Sequence, residues 1–572
     1  MIGWARLSAQ QAEGSGYNLS ASELASGLAL AGHDVCYIRS GMDYSLRPDM
    51  FLRHVETWRG VRCYHIFNSP NLAISRFNFQ NTNKEMNCPE QTRLVMRWLD
   101  EQRAEIVHVH ALEGFSMDLM AAIRESGRPL LVTPHNHWYV CPQVDLLARE
   151  VEVCLDHEGG RRCVACISTP RPGEEIWRRK LGQTMHRLLG RNSVRSAREA
   201  RATLIQRIRH ALDKPPVIVS GEHDAHPGLA WQPPSSADAA SRQRETPVAS
   251  RVHAPDGLDP ASHGPALARS TWDTNEQAAD PARRDVRLRV VNVYGKRRHA
   301  GIDAINRADL VLGPSRSLLS VLTGLGLAER KARFVRYGQP HLDQLRRLAT
   351  ESPFYRCTPW APDAPQPLRL AFHGTVHNNK GLDVLTRAIP LLSDQALRRC
   401  HFTIRAWGDD TLFRRRLRRF PQVTFAGGFD TVNLPGMMGQ FDVGVLSHTW
   451  LENCPLVMLE FLSAGKFTIA ARLGGPAEFI HPPSSAEPGN GLLFSGGCPD
   501  ELAACIERIA DGRVRLPTPE QVHAASDLQT YVGHVREVMA CYEELLAARG
   551  AEPAQGASPL APEPKVLEPA AR

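Results

Sequence analysis

The chain has 572 residues and a formal net charge of +7, and 42% of its residues are hydrophobic. One hydrophobic core rarely organises a chain of this length, so we expect two domains with additional segments. No apolar run approaches the roughly 20 residues of a membrane span, and the first residues lack the basic and then apolar order of a secretory signal. These features argue against an integral membrane protein and predict a cytoplasmic one.

Predicted strands and helices alternate along the first part of the chain. The strands are predicted at 2–7, 35–38, 106–109 and 130–133, and the helices at 19–31 and 117–125. Such alternation predicts a parallel sheet with helices on both faces, whose ligands bind beyond the carboxyl ends of the strands. Gly14, Gly16 and His135 lie at such positions. The two glycines would let the backbone approach a ligand closely.

The thirteen cysteines are an odd number scattered over the chain, which favours reduced thiols over a disulfide framework. Four of them fall in one segment with few apolar residues: Cys141, Cys154, Cys163 and Cys166. Four thiolates can close a tetrahedral structural zinc site. The alternative is four reduced thiols without a metal.

A basic segment follows the cysteines. Between Arg171 and His210 the sequence has eleven Arg or Lys against three Glu, which accounts for the whole net charge. Apolar residues interleave with the arginines at roughly helical spacing, so residues 176–210 are predicted to contact an anionic membrane surface. The alternative is a solvated helix packed on its own domain. No nucleic-acid partner is expected, because no recognised nucleic-acid module accompanies the charge.

Composition marks the remaining boundaries. Residues 214–285 are rich in Pro, Ser and Ala and poor in large aliphatic residues, which predicts a disordered insertion. A strand and loop are predicted at 308–315, and the proline-rich stretch 359–367 is the predicted interdomain linker. The tail 550–572 is also predicted to be disordered.

A second alternation of strands and helices follows the linker. The predicted strands are 368–372, 402–406, 423–425, 443–446 and 467–470, with helices at 381–392, 411–420 and 456–464. A last helix is predicted at 528–547. The pattern predicts a second doubly wound α/β domain.

The most informative motif places Glu452 and Glu460 around a helix start. Pro455 suits the first helical position, and free amides at such a start attract phosphate. Glu452 would face a cleft, whereas Glu460 could accept hydrogen bonds from two adjacent hydroxyls such as those of a ribose. Upstream lies a glycine loop with Gly374 and Lys380, and downstream lies a Gly474-Gly475 turn.

These three motifs, in this order, resemble the retaining GT-B glycosyltransferases of the E-x7-E type, the family 4-like enzymes called glycosyl transferases group 1. The resemblance implies two Rossmann-like domains facing across a cleft, interrupted here by the insertion 214–285. It implies that 1–213 and 286–358 form the acceptor-binding domain and that 368–527 bind the nucleotide sugar. The helix within 528–549 would cross back to the first domain.

The resemblance also implies roles for individual residues. Lys380 would contact the donor diphosphate, supported by backbone amides near Gly374, Gly474 and Gly475, and no metal would be required for catalysis. Glu452 would position the sugar hydroxyls, Glu460 the ribose, and Gly14 and Gly16 would lie close to the donor. His135 would point at the transferred sugar, with His137 as its competitor. His135, Glu452 and Lys380 are the expected catalytic set.

One departure from the family concerns charge. Relatives often have an Arg where this chain has Thr375. The hypothesis is that one of four residues supplies the missing cation, or that activity is reduced: His373, His377, Arg405 or Arg472.

The implied activity is transfer of a hexose from a UDP- or GDP-sugar to a glycan or lipid-linked glycan acceptor in surface polysaccharide synthesis, at the inner face of the plasma membrane. Two alternatives remain open at this point. One is a catalytically degenerate scaffold that binds at the membrane, and the other is a GT-B epimerase or phosphorylase.

Overall fold

The computed structural model describes residues 1–189, 290–352, 359–429 and 433–549. The predicted insertion 214–285, the tail 550–572 and the part of the basic segment beyond residue 189 lie outside the described residues.

The first domain is built on a parallel sheet of eight strands with the order β10-β9-β6-β5-β1-β2-β4-β3, in which β3 alone is antiparallel. A separate two-stranded ribbon is formed by β7 and β8. The strands are β1 (Ile2–Gly3), β2 (Cys36–Asp43), β3 (Phe51–Trp58), β4 (Val61–Phe67), β5 (Val107–Val109), β6 (Leu130–Val132), β7 (Leu147–Ala148), β8 (Glu152–Val153), β9 (Leu310–Gly313) and β10 (Ala332–Phe334).

Helices cover both faces of this sheet. They are α1 (Ser15–Leu30), α2 (Ser75–Asn78), α3 (Thr82–Met86), α4 (Pro89–Glu101), α5 (Asp118–Glu125), α6 (Pro172–Leu189), α7 (Val293–Asn306), α8 (Arg316–Gly324) and α9 (Pro340–Glu351). Buried apolar residues of α4, α5, α7 and α8 pack on one face of the sheet, and those of α1 pack on the other.

The antiparallel hairpin of β3 and β4 is an addition to the predicted parallel sheet. Arg59 and Gly60 form its two-residue turn, and both have positive φ, of 45° and 84°. Such a turn matches the twist of an antiparallel pair. The first helix also begins at Ser15, four positions before the predicted start, because Gly14 adopts a left-handed conformation and starts it directly after the glycine loop.

The second domain has a parallel sheet of six strands with the order β13-β12-β11-β14-β15-β16. The strands are β11 (Leu368–Thr375), β12 (Cys400–Trp407), β13 (Val423–Phe425), β14 (Val443–Leu446), β15 (Phe467–Ala471) and β16 (Gly491–Phe494). The five strands predicted here are present, and β16 was not predicted.

Helices flank this sheet as well. They are α10 (Leu382–Ala388), α11 (Asp394–Arg399), α12 (Thr411–Leu417), α13 (Leu434–Met438), α14 (Leu456–Ser463), α15 (Pro476–Phe479), α16 (Pro499–Ala510), α17 (Pro519–Ala524) and α18 (Tyr531–Ala548). The helix α9 packs against α14, so a helix preceding the linker shares a core with the second domain.

The last helix, α18, returns to the first domain. The Tyr531 hydroxyl donates a hydrogen bond to the Glu23 carbonyl at 2.8 Å, and Val535 and Val538 join the core beneath α1. Each domain is therefore a doubly wound α/β unit, and the cleft between them is bounded by the loops at the carboxyl ends of both sheets.

Candidate active site

An ion pair between Lys380 and Glu452 lies at the centre of the candidate site. The Lys380 Nζ is 2.6 Å from Glu452 Oε2, and the Trp450 indole N–H donates to the same oxygen at 2.9 Å. Burial alone would raise the pKa of the Glu452 carboxyl, but Lys380, His448 and the two hydrogen bonds outweigh it, so the pKa lies below its ordinary value. Glu452 is therefore an anion at neutral pH.

Glycine geometry brings Lys380 to this place. Lys380 ends a short 3-10 turn after β11, and the next residue, Gly381, has φ 69°. A Cβ on Gly381 would lie 1.7 Å from the Ser447 carbonyl oxygen at the end of β14. Only glycine permits this approach of the two strand ends, which carry Lys380 and Glu452 respectively. Gly374 is the penultimate residue of β11, and Lys380 follows it six positions later.

The Gly474-Gly475 turn supports the backbone of Glu452. The Gly475 amide donates to the Glu452 carbonyl at 2.7 Å. A Cβ on Gly474 would lie 2.2 Å from that carbonyl oxygen, and one on Gly475 would lie 1.6 Å from the Asn453 oxygen. The two glycines thus fix the backbone that presents Glu452 to the cleft.

Glu460 lies about one turn into α14 and is almost fully buried. Its Oε1 is 3.2 Å from Nε2 of His341, a residue of α9, while Oε2 has no hydrogen-bond partner among the described residues. The structure therefore does not bring Glu460 into contact with the Lys380–Glu452 pair. Pro455 is the residue before α14 rather than its first helical residue, because its ψ of 127° is extended.

The loop after Glu452 contacts the first domain. Asn453 donates from Nδ2 to the Pro134 carbonyl at 3.4 Å and accepts from the Ser315 hydroxyl at 2.7 Å. His137 Nε2 lies 3.2 Å from the Leu451 carbonyl. Since Pro134 precedes His135 and Asn453 follows Glu452, the two predicted catalytic loops meet across the cleft.

His135 is held on both ring nitrogens. Its Nδ1 is 2.6 Å from the Tyr337 hydroxyl oxygen, and its Nε2 is 3.2 Å from Nδ1 of His110. Burial, with repulsion from His534, lowers the pKa of His135 to about 3, and burial lowers the pKa of His137 to about 4. Both imidazoles are therefore neutral at physiological pH, and His135 has a fixed orientation.

Gly14 and Gly16 lie on opposite sides of the start of α1. A Cβ on Gly14, whose φ is 82°, would lie 3.0 Å from the Ala5 and Tyr17 side chains. At Gly16 a Cβ would lie 3.4 Å from Leu456, the first residue of α14. The starts of the two helices therefore face each other across the cleft, at a distance that would also accommodate a Cβ at position 16.

Two of the four residues predicted to supply the cation in place of the family's Arg are uncharged. Burial lowers the pKa of His373 to about 3 and of His377 to about 4, so neither imidazole carries a positive charge at neutral pH. Of the four predicted candidates for this cation, Arg405 and Arg472 remain. Arg76 of α2 was not predicted, yet its charge contributes to lowering the pKa of His377. No local motif marks Arg76, because it reaches the cleft from the other domain.

A small pocket lies beside His135 in the first domain. Aromatic and polar side chains line it together: Tyr17, His110, Glu113, His135, Asn136, Trp138 and Tyr139. Glu113 accepts from the Ser75 amide at 2.9 Å and its hydroxyl at 2.7 Å, and from Asn136 at 3.1 Å. Burial raises the pKa of the Glu113 carboxyl, although the Ser75 bonds oppose the shift. Glu113 and Tyr337 were not predicted from the sequence, because no motif or regular spacing marks them.

The four predicted zinc ligands line a second small pocket with Arg162 and Arg298. Burial raises the pKa of the thiols of Cys141, Cys154, Cys163 and Cys166, to about 12 for Cys163. Within the described parts of the chain, no group of three or more His, Cys, Asp or Glu is arranged to hold a metal ion. The structural zinc site stays a prediction.

Two family models match the chain. The model for glycosyl transferases group 1 matches residues 367–511, and the glycosyl transferase 4-like domain model matches residues 15–152. The first match contains the motifs with Lys380, Glu452 and Gly474, and the second contains Gly16 and His135. A search of curated proteins found no significant match.

Solved structures share the fold at low identity. Sucrose-phosphate synthase from Thermosynechococcus elongatus is 15% identical, with 96% of this chain and 98% of that chain covered and a TM-score of 0.50. An α,α-trehalose-phosphate synthase (UDP-forming) from Burkholderia xenovorans is 11% identical, over 90% and 95% of the two chains, with a TM-score of 0.45. Anabaena HepE, in a complex with UDP and glucose, is 17% identical over 43% and 67%, with a TM-score of 0.35.

The prediction of two Rossmann-like domains facing across a cleft is confirmed. A glycosyltransferase family model matches a segment of each domain, so the chain is a glycosyltransferase enzyme, and the fold that it shares over its length with sucrose-phosphate synthase is GT-B.

Proposed function

We propose that the protein transfers a hexose from a UDP- or GDP-sugar to a glycan or lipid-linked glycan acceptor, with retention of the anomeric configuration. The observation that carries this proposal is the Lys380–Glu452 pair, held at 2.6 Å between two glycine-dependent loops and facing the His135 loop of the other domain. A cation and a carboxylate meet there, and the His135 loop contacts the loop of Glu452 through Asn453.

Lys380 stabilises the leaving group in this proposal. Breaking the glycosidic bond of a nucleotide sugar builds negative charge on the diphosphate, which a fixed cation stabilises strongly in a cleft from which water is excluded. The Lys380 side chain is one-third exposed, so its ammonium is accessible from the cleft. A diphosphate would compete with Glu452 for the ammonium, and Glu452 would then accept hydrogen bonds from the hydroxyls of the hexose.

Retention does not require Glu452 to attack the sugar. Glycosidases that retain configuration place two carboxyl groups on either side of the bond and use one as a nucleophile. Glu452 is instead engaged by Lys380 and Trp450, and the second carboxylate of the motif, Glu460, is buried against His341. We therefore assign Glu452 to positioning the hexose, with the departing phosphate assisting attack from the same face.

The acceptor lies on the first-domain side in this proposal. The pocket beside His135 combines the rings of Tyr17, Trp138 and Tyr139 with the buried acceptor groups of Glu113. Aromatic faces and fixed polar groups are the usual lining of a sugar site, since a sugar presents both C–H faces and hydroxyls. Neutral His135, oriented by Tyr337, would contact the transferred hexose.

We place this reaction in surface polysaccharide synthesis at the inner face of the plasma membrane. The basic segment supports that place, because anionic lipids attract such clusters of Arg and Lys. No helix among the described residues is long and apolar enough to cross a membrane.

The test is a transfer assay with a panel of UDP- and GDP-sugars and glycan acceptors, followed by NMR of the product's anomeric proton. We expect turnover of one donor and an anomeric configuration equal to the donor's. Inversion would disprove the retaining assignment. Donor conversion without an acceptor would favour the epimerase, a requirement for inorganic phosphate the phosphorylase, and donor binding without turnover the degenerate scaffold.

A further inference from the structure

The helix α6 is packed against the first domain by polar side chains. Glu175, Arg179 and Gln183 recur every four residues, so they share one face of the helix. Glu175 and Arg179 are buried, and the Arg179 side chain is fully so. A surface helix ordinarily turns its apolar stripe inward, so α6 is reversed.

Hydrogen bonds fix this reversed orientation. Arg179 donates to the Gly41 carbonyl at 2.7 Å, to the Ala73 carbonyl at 2.6 Å and to Glu175 at 2.9 Å. Gln183 donates to the Met42 carbonyl at 2.9 Å and accepts from the Tyr44 amide at 2.7 Å. Rotating the helix to bury its apolar side would break the four bonds between α6 and the rest of the domain and leave the buried groups of the loop unpaired.

The outward face of α6 is apolar. Trp177, Leu181, Met185 and Leu188 follow one another at intervals of four, four and three residues, and their exposed fractions are 63%, 46%, 41% and 75%. We call these four residues the outer stripe. Other large apolar residues of the described chain are comparably exposed, but no other described helix presents such a row of them. A contiguous exposed apolar patch marks a surface that another molecule covers.

The positive charges beside the outer stripe indicate which kind of molecule covers it. Arg178 and Lys180 lie on opposite sides of the outer stripe, about 100° and −60° from Trp177 around the helix axis, while the stripe itself spans about 0° to 80°. The sequence from Arg171 to His210 has an excess of eight positive charges. An apolar stripe bordered by cations is the pattern of a helix that lies in the interface of an anionic bilayer.

The position of α6 connects the outer stripe to the site. Arg179 bonds the Ala73 carbonyl, and two residues further along the same loop Ser75 donates to Glu113 in the pocket beside His135. A bilayer covering the outer stripe would therefore lie beside the proposed acceptor pocket. A lipid-linked acceptor could remain anchored in that bilayer while its sugar enters the pocket.

We infer that the outer stripe of α6 docks the enzyme on an anionic lipid bilayer that carries the acceptor. This inference rests on the proposed function for the nature of the acceptor, but the docking itself does not depend on catalysis. The stripe lies in the interface and does not span it.

The test measures co-sedimentation of the full chain with vesicles of equal parts phosphatidylglycerol and phosphatidylcholine, and with vesicles of phosphatidylcholine alone. The wild type should bind the anionic vesicles preferentially. The double variant Trp177→Ser/Leu188→Ser should bind at least about tenfold more weakly, because two interfacial apolar anchors are lost. The control Leu46→Ser/Val151→Ser removes two equally exposed apolar side chains outside α6 and should bind as the wild type does.

Other results would overturn the inference. Salt-sensitive binding that is unchanged in the Trp177/Leu188 variant would assign docking to charge alone. A wild-type dimer that the same variant dissociates, without vesicle binding, would make a second copy the occupant. If neither the wild type nor the Trp177/Leu188 variant bound vesicles or dimerised, the chain would cover its own stripe.

The proposed function is tested separately. Thermal stabilisation by the nucleotide sugar and transfer to a water-soluble acceptor should be the same in the Trp177/Leu188 variant and the wild type, since α6 contributes no residue to the Lys380–Glu452 pair. Absence of transfer in both proteins, with the wild type binding vesicles and the variant binding them more weakly, would refute the proposed function and leave the docking inference standing.

Discussion

The two sides of the cleft are built in different ways. The second-domain side consists of Lys380, Glu452, Gly474 and Gly475, which lie on loops directly after parallel strands, and its central ion pair joins residues 72 positions apart. The first-domain side consists of His110, Glu113, His135 and Tyr337, and the bond that orients His135 joins residues 202 positions apart. The first is fixed by backbone geometry that demands glycine, and the second by a network of side chains.

This difference explains what could be predicted. Glycine positions such as Gly381 and Gly475 leave a local signature, because a Cβ would collide with a neighbouring carbonyl. Lys380 and Glu452 could be placed from those signatures. Tyr337, Glu113 and Arg76 could not, since any polar or aromatic residue at those positions looks the same in the sequence until the fold brings it to the cleft.

The same reasoning applies to the fold. The parallel strands of the second domain were predicted closely because several of them, such as β14 and β15, are short and largely apolar runs. The hairpin of β3 and β4 was missed since the strands are only partly buried, and the reversed packing of α6 was missed because burial of Arg179 depends on carbonyls more than a hundred residues away.

The largest effect is expected on the second-domain side. Lys380→Ala removes the cation that stabilises the leaving diphosphate, so kcat should fall by about 10²- to 10³-fold. Steady-state transfer assays measure this fall in kcat. The control Arg415→Ala removes an exposed cation on α12 of the same domain and should leave kcat unchanged. Equal rates for Lys380→Ala and the wild type would refute the assigned role.

Gly475→Ala tests whether backbone geometry positions Glu452. The new Cβ would lie 1.6 Å from the Asn453 carbonyl oxygen, so the loop must move and kcat should drop about 100-fold. The matched change Gly436→Ala in α13 meets nothing within 4 Å and should be neutral in activity. Thermal unfolding of both variants shows whether the loss is local. Similar kinetics for the two alanine variants would contradict the assigned geometry.

Tyr337→Phe tests the side-chain network of the first-domain side. Losing the hydroxyl 2.6 Å from His135 Nδ1 should lower kcat about 10-fold and leave the KM for the donor unchanged, because only orientation of the imidazole is affected. Tyr44→Phe, which removes a buried hydroxyl bonded to the Ser69 carbonyl, should cost similar stability without a change in kcat. A rise in donor KM without a fall in kcat would place Tyr337 in donor binding instead.

The smallest expected effect is a dependence of the free energy of unfolding on pH. The pKa of His135 and His373 is about 3 in the folded protein, below the unfolded value of about 6.5, so the unfolded state binds more protons between these values. The free energy of unfolding should therefore fall as the pH drops below about 6.5, by up to about 1.4 kcal/mol per pH unit for each such histidine. His373→Leu should make the slope shallower in urea unfolding at several pH values. A stability independent of pH in this window would show that these histidines are protonated in the folded state.

A thermal-shift assay of donor binding tests the donor site most directly. It compares the wild type with Lys380→Ala, using a panel of UDP- and GDP-sugars in the presence of excess chelator. A ligand that binds only the folded protein raises its unfolding temperature. We expect one nucleotide sugar to stabilise the wild type in the presence of the chelator and to stabilise Lys380→Ala much less. Equal stabilisation of both proteins, or of neither by any sugar in the panel, would contradict a donor site built on Lys380 and Glu452.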